Sequence, residues 1–217
     1  MTDSIYDQLN AYGTVAKQRF VENFSGSALD TDRWQTFAVL GTLFTVSMSD
    51  SVDDGLKFVS PASSSRTYLT FGLNPNEKRQ YAHNGSVCIT VTKADTSSGE
   101  ELVSAGLHSN TNVDWWNVAT GSDYINYYSA GTTKYRLRTA NGSATEEASS
   151  TVVPDSSWHT HKLETLASSC EYSIDGLTAI STSTSIPDTP LQPMVTMGEG
   201  GTTARTLRIR YMECYNT

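Results

Sequence analysis

From Phe20 to the C-terminus the chain is written in short runs where apolar and polar residues alternate. "RTYLTFGL", "GSVCITVTKA", "EELVSAGLHS" and "RTLRIRYMECY" are examples, and "GTLFTVSMS" alternates through Leu43, Thr45 and Ser47. Side chains on a strand point to opposite faces in turn, so this pattern predicts strands with one buried face. In the last run Leu207, Ile209 and Tyr211 are expected on one face. "DYINYYSAGTTKYRLRTANGS" reads as two strands around a Gly-containing turn, and "SSWHTHKLETL" with "CEYSIDGLTAIST" as the next pair. Asn84-Gly85, Asn141-Gly142 and Asp175-Gly176 supply glycine where tight turns need positive φ. Pro187, Pro190 and Pro193 predict a loop or an edge before the last strand. Many short strands at regular spacing predict an all-β sandwich.

Residues 1–19 carry a different period. Ile5, Leu9, Tyr12 and Ala16 recur at helical spacing behind a Thr2 or Ser4 cap, with Gly13 in their midst. The expected organisation is a short helical arm over 1–19 and one sandwich domain over 20–217. Ile5, Leu9 and Tyr12 form the arm's expected contact stripe for a partner chain.

Composition narrows the function classes. The net charge is −8 and no run of Lys or Arg is present, which argues against a nucleic-acid partner and an anionic membrane surface. No apolar stretch is long enough for a membrane-spanning helix, so no membrane insertion is expected. The first residues lack the basic and apolar regions of a secretion leader. The protein is therefore expected to work where it is made, or to reach a virion or extracellular surface by another route. Three cysteines, Cys88, Cys170 and Cys214, are an odd number at unhelpful spacings, and free thiols are expected.

Several blocks taken in order resemble the concanavalin A-like lectin/glucanase superfamily, in particular its laminin-G-like and laminarinase-like members. They are Phe24-Ser25-Gly26, Leu29-Asp30 and Trp34; Trp158-His159-Thr160 with Leu163 and Glu164; Tyr172, Ile174, Asp175 and Gly176; and Leu207, Ile209, Tyr211 and Tyr215. The resemblance implies a jelly roll of two stacked antiparallel sheets with a glycan groove on the concave one. Trp34 and Trp158 are expected to be largely buried in it.

Hydrolases of this superfamily carry E-x-D-x-x-E, or a close variant, on one concave strand. Alternation brings the carboxylates to one face, where two about 5 Å apart serve as nucleophile and acid/base. That spacing is absent here. Glu100-Glu101 and Glu146-Glu147 are adjacent pairs that face opposite sides of a strand, and Asp175 belongs to a turn. No catalytic residue is assigned, and a hydrolase with an atypical site ranks third among the function classes. His159 and His161 share a strand face without a convincing third metal ligand, so packing beside Leu163 is expected. The acidic turn Asp50-Ser51-Val52-Asp53-Asp54 offers oxygens to Ca²⁺ but lacks a full ligand pattern, so no cofactor is expected.

"VDWWNVATGSDYINYYSAG" gathers two of the four tryptophans in a polar stretch. Strand alternation admits only one of Trp115 and Trp116 to a core, and exposed aromatics suit recognition. Asp114, Trp115, Trp116, Asn117, Asp123, Tyr124 and Tyr127 are the expected ligand-binding residues. The first expectation is a non-catalytic module that binds a glycan or a neighbouring subunit, in a homo-oligomer or on a larger particle. The second is a virion decoration or capsid-surface protein without glycan binding.

Overall fold

The computed structural model describes residues 19–48, 55–61, 65–71, 85–94, 102–109, 123–130, 134–189, 191–199 and 204–217. The expected arm, the Asp50–Asp54 turn and the segment holding Asp114, Trp115, Trp116 and Asn117 lie outside the described residues.

The strands in chain order are β1 (Arg19–Glu22), β2 (Trp34–Leu40), β3 (Thr45–Met48), β4 (Leu56–Val59), β5 (Ser65–Phe71), β6 (Ser86–Ala94), β7 (Leu102–His108) and β8 (Asp123–Ala130). They continue as β9 (Tyr135–Asn141), β10 (Thr145–Ser149), β11 (His159–Thr165), β12 (Cys170–Ile174), β13 (Leu177–Thr182), β14 (Gln192–Glu199) and β15 (Thr206–Asn216). Every pairing is antiparallel. One sheet runs β13-β12-β11-β6-β15-β4-β3, with β1 also on β15; the other runs β10-β9-β8-β7-β14-β5-β2. The expected two-sheet sandwich is the observed fold.

The core lies between the sheets and is built from alternate positions. Leu56 and Phe58, Leu163, Tyr172, Leu207 and Ile209 face it from the eight-stranded sheet; Leu69, Leu107, Ile125, Leu137 and Val195 face it from the other. Trp34 is 1% exposed, packs against Phe20 and Phe24, and donates its indole N–H to Glu22 Oε2 at 3.2 Å. Trp158 departs from expectation: it is half-buried on the outer side, with the Arg210 guanidinium 4.7 Å from its ring centre. Tyr127 ties the sheets together. Its hydroxyl hydrogen bonds Thr90 at 2.9 Å and Thr92 at 3.3 Å, and its ring stacks on His161 and Tyr172 of the facing sheet.

Three departures have local causes. β15 carries a bulge between Ile209 and Tyr211, which flips the alternation, so Met212 faces the core in place of Tyr211. Pro193 sits inside β14, a central strand, at its second residue, where a missing N–H disturbs the ladder least. The Asp175-Gly176 turn matches its expectation: φ is +50° and +82°, as a two-residue hairpin requires. All three cysteines are free and buried. Burial pushes the Cys170 thiol up to about 12.

Candidate functional site

β8 is an inner strand of the seven-stranded sheet, between β9 and β7, and its alternation divides two sets of residues. Ile125 and Tyr127 face the core. Tyr124, Asn126 and Tyr128 point the other way, and all three are buried, at 0%, 3% and 1% exposed. Register extends this outward row across the neighbours. Tyr124 lies between Ala140 and His108, Asn126 between Arg138 and Gly106, and Tyr128 between Arg136 and Ser104. Gln192 and Thr196 of β14 continue the same face beside His108 and Ser104. Gly106 is required where it stands, since a Cβ there would sit 2.2 Å from the Ile125 carbonyl oxygen and 2.7 Å from Asn126 Cα.

Two kinds of polar group share this face. The first is a network centred on Glu147. Arg136 Nη1 and Arg138 Nη2 each lie 2.5 Å from the Glu147 carboxylate and also reach the Tyr128 hydroxyl, at 3.2 and 3.4 Å. The Arg138 guanidinium sits 4.8 Å from the Tyr128 ring centre. Burial acts to raise the Glu147 pKa, but hydrogen bonds from Tyr128 and the two arginines outweigh it and hold the carboxyl below its usual range. Glu147 is thus an ionised acceptor clamped in place.

The second kind is unsatisfied. Asn126 gives its amide to Ser104 Oγ at 2.8 Å, which leaves its Oδ1 without a partner among the described residues. The Tyr124 hydroxyl and Thr196 Oγ1 are likewise buried without a hydrogen-bond partner there. The Tyr124 ring stacks on His108 with centroids 5.2 Å apart, and burial pushes its phenol up to about 12. Buried polar atoms are rarely left unpaired, because each orphan destabilises by about 1–3 kcal/mol. Three such oxygen atoms lie on one sheet face, with Arg136 Nε likewise buried and unbonded among the described residues.

Of the expected ligand-binding residues, the structure brings Tyr124 to this face and sends Tyr127 to the core, a consequence of alternation over an odd spacing. Asp123 serves the architecture instead. Its Oδ2 accepts the backbone N–H of Asp188 at 2.8 Å and of Thr189 at 2.9 Å, fastening the loop that precedes β14. Asn126, Tyr128, Arg136, Arg138, Glu147 and Thr196 were not singled out from the sequence. The period-two trio 124, 126, 128 was readable; its partners come from strands far apart in the chain.

His161 is buried, bonded through Nδ1 to the Tyr172 hydroxyl at 2.8 Å, and burial lowers its pKa to about 3. His159 is held by Asp175 at 2.7 Å and Asp155 at 2.9 Å. Among the described residues no three metal-binding side chains cluster. Nor do two carboxylates share the outward face of the seven-stranded sheet among the described strand residues; Glu147 stands alone there.

No family model matches the chain, and no curated protein does. Solved structures do. A Bacillus licheniformis β-glucanase superposes with a TM-score of 0.64 at 18% identity, covering 92% of this chain and 98% of that one. The chain has the concanavalin A-like jelly-roll fold. LamA from Z. galactanivorans, in complex with laminaritriose and laminaritetraose, gives 0.66 at 15% identity over 91% and 98% of the two chains. A pseudo β-1,3-glucanase of Mycobacterium tuberculosis gives 0.63 at 12% identity, over 91% and 98%. These likenesses correct the expectation of a non-catalytic recognition module or a virion-surface protein. The fold is shared, over nine-tenths of the chain, with glucanases.

Proposed function

We propose that the chain is a polysaccharide-processing protein of the glucanase type, with its glycan laid across the outward face of β7, β8, β9 and β14. The observation that carries this reading is the row of polar side chains, Tyr124, Asn126, Tyr128, Arg138, Glu147 and Thr196, that register brings to one face of a fold shared with glucanases. A sugar presents hydroxyls that both donate and accept. Tyr124 and Thr196 can do either, and Asn126 Oδ1 accepts. The ring of Tyr124, stiffened by its stack on His108, fixes where its hydroxyl points.

Support for processing comes from the fold and from Glu147. The solved structures of this fold include a glucanase and a laminarin-oligosaccharide complex. Glu147 is the carboxylate on this face among the described strand residues, and its lowered pKa keeps it ionised, a hydrogen-bond acceptor that can hold a glycan hydroxyl in place. Arg136 and Arg138 orient it, and Tyr128 links it to the glycan row. This is an atypical site beside the paired carboxylates of E-x-D-x-x-E.

The test is reducing-end release and transfer-product analysis on laminarin, lichenan and related glucans, with binding measured in parallel by affinity electrophoresis. The wild type is expected to form products. Glu147→Gln is expected to bind but form none, and Tyr124→Phe with Thr196→Val to bind weakly. Absence of products from every glucan tried, or full activity in Glu147→Gln, overturns the proposal.

A further inference from the structure

β6 and β15 are neighbours in the eight-stranded sheet, and their register sets Cys88 directly opposite Cys214. Both side chains belong to the core cluster, so they leave the sheet on the same side. Cα atoms that face each other on antiparallel strands lie about 4.5 or about 5.5 Å apart, according to the hydrogen bonding of the pair. A disulfide needs roughly 4.4–6.8 Å between its Cα atoms, so either spacing serves. The two thiols meet: burial, and then a hydrogen bond with the Cys88 side chain, push the Cys214 thiol well above its ordinary range.

Cys170 has no such partner. It stands on β12, opposite Thr165 and Thr182, and β11 separates its strand from β6. Two strand spacings put it about 10 Å from β6, beyond the ~7 Å that a disulfide spans between Cα atoms. β15 lies one strand further off. Of the pairings that three cysteines allow, the fold permits only Cys88 with Cys214.

The surroundings suit a covalent bridge. In the row across four strands, Cys88 stands beside Leu163 of β11, and Cys214 beside Phe20 of β1. Both neighbours are buried and apolar, so joining the sulfurs strands no polar partner among them. Burial keeps thiols protonated, and only a thiolate attacks a disulfide. The bond therefore closes while the chain folds or opens, before β15 seals the pair, and is shielded afterwards. β15 pairs with β1, β4 and β6, so a bond here holds the strand on which this sheet is assembled. The loop it closes contains β7 to β14, and a long closed loop takes much freedom from the unfolded chain.

We propose that Cys88 and Cys214 are a site of covalent modification, a cross-strand disulfide that a low-molecular-weight disulfide installs and that fastens β15 to β6. The thiolate of one cysteine attacks a sulfur of the reagent and releases one reagent thiol. The other cysteine then attacks the protein sulfur of that mixed disulfide and releases the second. The pair gives up two protons and two electrons, and the reagent is reduced to two thiols. Under reductant the chain returns to the three free thiols of the structure. The bond stands independently of the glycan face.

The test is refolding of the full chain from denaturant with oxidised or with reduced glutathione. Maleimide labelling under denaturing conditions, peptide mapping by mass spectrometry and thermal melting follow. The oxidised sample is expected to yield a peptide joining Cys88 to Cys214, with Cys170 labelled or carrying a single glutathione. The reduced sample is expected to label at all three cysteines. The oxidised protein is expected to melt about 5–10 °C above the reduced one. Cys170→Ala is expected to keep the linked peptide and the rise, while Cys88→Ala and Cys214→Ala lose both. Mapping and melting of the wild type carry the test even where an alanine variant does not fold. Labelling of Cys88 and Cys214 in the oxidised sample, a bridge through Cys170 in their place, or an oxidised protein that melts no higher than the reduced one overturns the proposal.

Discussion

Tyr124 and Tyr127 are three residues apart on one strand, and the loss of their hydroxyls is expected to change stability in opposite directions. Tyr127 is 1% exposed and its hydroxyl bonds Thr90 and Thr92 across the sandwich. Tyr127→Phe strips both threonines of that partner in a dry interior. The expected loss is about 1–3 kcal/mol. Tyr124 is equally inaccessible, but its hydroxyl has no described partner to lose. Tyr124→Phe keeps the stack on His108 and removes only the orphan atom, so the free protein is expected to gain about 1 kcal/mol, the low end of that penalty. In a domain of this size 1 kcal/mol moves Tm by roughly 2–4 °C. The assay is differential scanning calorimetry of the two variants with and without a laminarin oligosaccharide. Tyr127→Phe should melt lower in both conditions. Tyr124→Phe should melt higher without ligand and show a smaller ligand-induced rise, a stability gained at the expense of binding. If Tyr124→Phe melts lower than wild type without ligand, its hydroxyl is not an orphan and the inference fails.

Other outcomes follow from the same contacts. Burial opposes charge on His159, but the hydrogen bonds it donates to Asp175 and Asp155 outweigh it and raise its pKa above 6.5. Its contribution is therefore full below that value and lost as pH rises through the raised pKa. His161 has the opposite sign: with a folded pKa of about 3 against an ordinary 6.5, it makes stability fall as pH drops below 6.5. Denaturant melts from about pH 8 to 5 should show that fall, and His159→Gln should steepen it by removing the offset. Glu147→Gln should loosen Arg136 and Arg138 and lower Tm only slightly, since the pairs are partly exposed. Native protein should resist thiol reagents at Cys88, Cys170 and Cys214, which are buried, and label fully once unfolded.

The sandwich was legible in the sequence because alternation and Gly turns are local signals. "GSVCITVTKA" became β6, and Asp175-Gly176 became the β12–β13 hairpin. β14 was hidden by Pro193, because a proline argues against a central strand and only its position near the strand start reconciles the two. The Tyr211 reversal was hidden because a bulge leaves no mark in a pattern of apolar residues. The outward row was half legible. Tyr124 was picked for its aromatic company, while Glu147, Arg138 and Thr196 reach the same face from β10, β9 and β14 through pairings a linear reading does not supply. Lys57, Lys93 and Arg208 are likewise far apart in the chain and become neighbours only through register.

Whether a glycan lies on the Tyr124 face of the seven-stranded sheet can be decided by an NMR titration of tyrosine-labelled protein with laminaritetraose. Tyr124 and Tyr128 resonances are expected to shift with ligand while those of Tyr127 and Tyr172, on the core side, hold still. Saturable shifts confined to residues elsewhere, with Tyr124 and Tyr128 unmoved, would place the glycan on another surface and contradict the proposed site.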